Sequence, residues 1–208
     1  MAVVGSLPVT GAGLSLIGGA HGHRILVHGT DAPSRQLEDL QLTLGVGPCM
    51  ESMNRGGPVL VPDLAKQSDG RWPGFVQPAL AVGIRAIFAF PLQIGAVRLG
   101  ALDLYRNSIG GLSDEELADI LIFIDVATLA LLDAPIGESG DGGGVLTDWL
   151  ADADTAVYQA SGMVMVQLGV TIDQAMLRLR AYAFVHDRTL TAIAHEIVAR
   201  RLRLDAES

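Results

Sequence analysis

The sequence is poor in cysteine and lysine, and it has no long apolar run. Cys49 is the only cysteine. One thiol excludes an internal disulfide and a cysteine-rich metal cluster, and it fits a reducing, cytoplasmic setting. Lys66 is the only lysine, so nearly all positive charge is arginine, whose planar guanidinium stacks and makes bidentate hydrogen bonds. No stretch of about 18 apolar residues runs without a break or a charge, so no membrane span is expected. The first residues lack the early Lys or Arg of a signal peptide. There is no Gly-x-Ser-x-Gly elbow, no phosphate loop and no histidine pair at helical spacing, and the chain is therefore read as a non-enzyme.

Hydrophobic residues make up 50% of the 208, enough for one large domain or two small ones. The net charge is −9, which argues against indiscriminate nucleic-acid binding by the whole molecule. Its distribution says more. Residues 1–133 carry −5, residues 134–154 carry five acids and no base, and residues 155–204 carry six arginines against three acids. A mildly basic segment thus follows an acidic one.

Residues 134–148, APIGESGDGGGVLTD, are rich in glycine and acid and show no apolar period, which predicts a flexible linker. The expected division is 1–133, the linker 134–148, and 149–208. Before the linker, apolar runs alternate with Gly and Pro turns. Strands are predicted at 12–18 and 23–28 and in PVLVPD, short helices at 48–54 and 75–82, and a strong hairpin at 84–92 and 97–105 around Gly95. Residues 35–44 give no clear period. Ser113 and Glu116 make a capping box that opens a helix over 114–132. This pattern is an α+β domain, an antiparallel sheet flanked by helices. After the linker, three helices are predicted: 149–168, closed by Gly169; one from Thr171, capped with Gln174, to about His186; and one from Thr189. The second part is all-α.

The stretch 44–64, LGVGPCMESMNRGGPVLVPDL, followed by AIFAFPLQIGAVRLGALDLY, resembles a GAF domain. Residues 158–198 resemble an ANTAR domain closely, through Gln159, Ala160, Gly162, Met163 and Met165, then Ala175, Leu179, Arg180 and Ala183, then Leu190, Ala194 and Ile197. The resemblance implies a sensory domain joined to one that binds RNA hairpin loops in leader transcripts and controls transcription termination.

On that basis the expected RNA-contacting residues are Gln159, Ser161, Arg180, Arg188, Thr189, Arg200 and Arg201, with the site placed around the end of the first helix and the turn between the second and third. There a helix N-terminus offers free N–H groups to phosphate. Arginines at the end of the third helix are also favoured by the helix dipole alone. Gly162 is read as a site of close helix packing, with close approach of RNA to the backbone as the alternative. One member of each pair Met163/Met165 and Tyr182/Phe184 should face outward, where an aromatic ring would stack an unpaired base. Phe88, Phe90, Leu102 and Leu104 are the expected core or ligand-pocket residues of the sensory domain, whose small-molecule ligand is not legible. No cofactor is expected. His21 and His23 sit at a glycine-rich turn without a third ligand, and Cys49 is read as a small buried apolar residue. A homodimer is expected through the helices at 114–132 and 149–168. A DNA-binding helix-turn-helix is the alternative, but TLTAIAHE at the start of the third helix is poor in base-reading side chains. A third reading is a small-molecule-binding protein with a structural helical tail.

Overall fold

The structure is a computed structural model that describes residues 7–18, 23–68, 70–133 and 155–205. The expected linker and the start of the first C-terminal helix lie outside the described residues, as do His21 and the side chain of His23.

The N-terminal domain runs β1 (Gly11–Gly18), β2 (His23–Gly29), α1 (Ala32–Leu44), α2 (Pro48–Arg55), β3 (Val59–Val61), α3 (Val76–Ala81), β4 (Ala86–Ile94), β5 (Val97–Arg106) and α4 (Asp114–Asp133). The strands form one sheet in the order β2-β1-β5-β4-β3, with every pairing antiparallel. Its centre is the predicted hairpin, with Phe88 opposite Leu104 and Phe90 opposite Leu102.

Side chains alternate across the sheet, so the two faces have different character. Phe88, Phe90, Leu102 and Leu104 share one face with Ala12 and Leu14, and Ile120 and Ile124 of α4 close over them. All four predicted residues are 0–2% exposed. They pack as core on the α4 side, the first of the two roles expected for them. The opposite face carries Ile87, Ala89 and Tyr105, covered by Leu37 of α1 and by Phe75, Val76 and Ala79 around α3.

Caps set the helix ends. At the start of α4 the Ser113 amide donates to Glu116 Oε2 at 2.8 Å and the Glu116 amide donates to Ser113 Oγ at 3.2 Å. At α1, which the sequence left undefined, Asp31 and Ser34 make the same reciprocal pair, and Gly45 closes the helix at φ 70°. Only a residue tolerant of left-handed backbone ends a helix this way without strain.

The C-terminal domain is α5 (Ala156–Leu168), α6 (Ile172–Val185) and α7 (Leu190–Val198). Thr171 and Gln174 form the predicted capping box of α6, and Thr189 caps α7 by accepting from Ala192 N. Ala160, Val164, Ala175, Leu179, Ala183, Leu190, Ile193, Ala194 and Ile197 make its core.

Leu42 of α1 also belongs to that core, so the two domains share apolar contact. Polar contacts reinforce it. Arg180 Nε donates to the carbonyl of Leu42 at 3.0 Å, the amide of Leu190 donates to Thr43 Oγ1 at 2.9 Å, and the Thr191 hydroxyl donates to the Asp39 carboxylate. A crevice of about 430 Å³ remains beside this joint, walled by Leu37, Leu40, Leu44, Pro78 and Phe184 and edged by Arg188 and Thr189.

Candidate nucleic-acid interface

The sequence placed the RNA-contacting residues around the end of α5 and the α6–α7 turn. The structure divides them among three environments. Ser161 is fully buried, and its hydroxyl donates to the Tyr158 carbonyl at 2.8 Å. Its expected surface contact is corrected: the hydroxyl is satisfied inside the helix bundle, where a small side chain that bonds its own backbone costs little. Arg180 is half-buried and reaches across to α1, so in this arrangement it holds the domains together. The reason is proximity: the carbonyls near the end of α1 lack helical partners, and a guanidinium beside them supplies one.

Arg188 and Thr189 are exposed at the turn, next to the interdomain crevice. Arg188 pairs with Glu196 at 2.9 Å. Two of the N–H groups that would cradle a phosphate at the start of α7 are already used, that of Leu190 by Thr43 and that of Ala192 by Thr189. The turn is therefore partly covered by the N-terminal domain.

Gln159, Arg200 and Arg201 lie elsewhere and are exposed. Gln159 lines a shallow groove along α5 with Gly162, Met163, Val166 and Gln167, and Arg203 forms its rim. Arg203 is brought there by the chain beyond α7, where the backbone turns through a left-handed Arg200 at φ 59°. The Leu204 side chain enters the domain core, and the Gln167 amide donates to the Leu204 carbonyl. Arg203 was not among the expected contacts. Its distance from Gln159 in sequence hides the association, and only the closing turn reveals it.

Gly162 departs from its expected packing role. A Cβ placed on it would meet no atom within 4 Å. Glycine inside a helix costs about 1 kcal/mol relative to alanine, and no neighbouring helix accounts for it here. Its effect is to lower the floor of an exposed groove. Of the two side-chain pairs, Met163 and Phe184 face outward, Phe184 at 69% exposure, while Tyr182 stacks on His186 at 3.9 Å.

Residues 151–198 match the model of the ANTAR domain. No curated protein matches the chain. Among solved structures, a domain assigned to a two-component sensor histidine kinase protein from Sinorhizobium meliloti is similar at 17% identity with a TM-score of 0.52, covering 64% of this chain and 85% of that one. The GAF domain of a phosphoenolpyruvate-protein phosphotransferase from Coxiella burnetii is similar at 18% identity with a TM-score of 0.50, covering 60% of this chain and 73% of that one. At such identity these likenesses speak to fold alone. No helix among the described residues is long and apolar enough to cross a membrane. The five-stranded antiparallel sheet with its flanking helices is a GAF fold, and the chain carries an ANTAR domain at 151–198 behind it.

Proposed function

We propose that the protein is an RNA-binding, non-enzymatic regulator of transcription termination, in which the N-terminal domain senses a signal and the C-terminal domain binds leader RNA at hairpin loops. The observation that carries this reading is the open groove over Gly162, edged by Gln159 and Arg203. A helical glycine with nothing packed on it leaves room for something from outside to approach the backbone. The groove lies in the net-positive part of an acidic chain, where phosphate is attracted rather than repelled. Exposed Met163 and Val166 offer apolar contact to unstacked bases.

The test is titration of a hairpin-containing leader RNA at several salt concentrations, with duplex DNA as competitor. Arg203→Ala should weaken binding and lower the salt slope by about 0.7 for the lost contact to single-stranded phosphate. Gly162→Leu should weaken binding while raising helix stability, because leucine has the better helix propensity. Tighter binding to the duplex, or indifference to both substitutions, would favour the helix-turn-helix reading.

We also propose that the protein works as a homodimer through α4. Ile122, Val126 and Leu129 stand 58–64% exposed on one stripe of this helix, at the spacing of a helix–helix seam. Two copies would double the RNA contacts available to one transcript. Light scattering at micromolar concentration should give the mass of two chains, and Ile122→Glu with Leu129→Glu should give that of one. A monomeric mass for the unaltered chain, with and without RNA, would exclude the dimer.

A further inference from the structure

On the sheet face opposite α4, a set of polar side chains is sealed inside the N-terminal domain. Glu38, Cys49 and Asp103 are each 1% exposed, and Ser15 and Gln41 are fully buried. They come from four elements: β1, α1, α2 and β5. One carboxylate oxygen each of Glu38 and Asp103 and the Sγ of Cys49 lie within 4.8 Å of one another. Gln41 ties the group together. Its Nε2 donates to Asp103 Oδ2 at 2.6 Å and to Glu38 Oε1 at 3.3 Å, while its Oε1 accepts from the Cys49 amide at 2.8 Å. Ser15 Oγ donates to Glu38 Oε2 at 2.8 Å.

The backbone around this group leaves space for it. A Cβ on Gly13 would stand 2.6 Å from Glu38 Cγ, and one on Gly47 would stand 2.4 Å from Gln41 Oε1. Larger residues at either position would displace the polar side chains from the core. Two carboxylates at this separation, out of water, repel each other, and burial favours binding of a proton or a cation between them. The third member decides in favour of a cation. A thiol adds nothing to a shared-proton pair, whereas a thiolate beside two carboxylates is a three-ligand set for a borderline divalent ion. Gln41 and Ser15, hydrogen-bonded to the carboxylates, are placed to orient them.

We propose that Glu38, Cys49 and Asp103 bind one divalent first-row transition-metal ion of the zinc or ferrous type. Binding takes the Cys49 proton, with any proton held by the carboxylates, and releases it to solvent. The ion would bridge α1 and α2 to β5. On α1, the next residues in the chain, Asp39, Leu42 and Thr43, hold the C-terminal domain.

Cobalt(II) is the probe, because its thiolate bond gives a near-ultraviolet charge-transfer band. The full chain, stripped with chelator, is equilibrated with increasing cobalt and then with zinc. The band should rise to saturation at one equivalent and fall as zinc displaces cobalt. Cys49→Ser should lose the band, and Asp103→Asn should weaken binding at least tenfold with unchanged circular dichroism. The measurement on the unaltered chain is decisive even if a variant fails to fold. Absence of a cobalt–thiolate band at saturating metal would overturn the proposal. So would a band that persists undiminished in folded Asp103→Asn.

Discussion

Phe88→Ala is expected to cost the N-terminal domain about 3–5 kcal/mol in urea unfolding. The ring is completely buried, pairs across the hairpin with Leu104, and lies under α4 with Ile120 and Ile124 in the same cluster. Removing it deletes apolar contact on all sides at once. It leaves a cavity that the sheet cannot close, because β4 is held by β5 on one side and β3 on the other. Phe90→Ala, one pair further along the same face, should behave alike. A loss of about 0.5 kcal/mol or less, the size of a surface substitution, would mean that the ring borders open space. That result would restore the ligand-pocket role for this face and contradict the packing described above.

Leu42→Asp is expected to separate the two domains. Leu42 is 2% exposed and contributes to the C-terminal core although it belongs to α1. A carboxylate there loses the apolar contact and is driven toward water, a combined penalty of about 3–5 kcal/mol. Among the described residues, the polar contacts that remain at the joint include three hydrogen bonds, from Arg180, Leu190 and Thr191. Each contributes a net of about 1 kcal/mol, so together they do not outweigh the charge. Hydrogen exchange at the Leu190 amide should therefore accelerate sharply, while amides in the middle of β4 stay protected. Freed from α1, the α6–α7 turn presents Arg180, Arg188 and Thr189 together. The variant should then bind the hairpin RNA several-fold more tightly than the parent. Unchanged Leu190 protection would show that Leu42 does not hold the joint. Rapid exchange without tighter binding would exclude the turn from RNA recognition.

Both predictions depend on which features are local in sequence and which are not. The capping boxes at Ser113–Glu116 and Thr171–Gln174, the hairpin around Gly95 and the C-cap at Gly169 each involve residues within a few positions of one another. Such interactions form wherever the chain carries the right pair, so they were legible without any knowledge of the fold. The same holds for the order of the two domains, since the change from alternating strands to helical spacing is written along the chain.

Helix α1 was not legible, and its burial explains why. Its buried positions are Ser34, Leu37, Glu38, Gln41, Leu42 and Thr43, and those at 34, 38, 41 and 43 are polar. Counted by apolar residues alone, Leu37, Leu40 and Leu44 fit a helix and Leu40, Leu42 and Leu44 fit a strand, so the pattern decides for neither. Glu38 and Gln41 are accommodated because Ser15, Cys49 and Asp103, from other elements, meet them inside the domain, and Ser34 because it pairs with Asp31 at the cap. Ser161 and Arg180 were misplaced for the same kind of reason. Residue type suggests surface for both, but Ser161 is closed in by helix packing, and Arg180 finds its acceptor 138 positions earlier in the chain. Sequence by itself determined the elements, their caps and their division into a sheet domain and a helical one, because those depend on neighbours along the chain. The tertiary structure alone decided which polar groups are buried, which arginines remain exposed, and which face of α5 stands open, because each depends on partners that only folding brings within hydrogen-bonding distance.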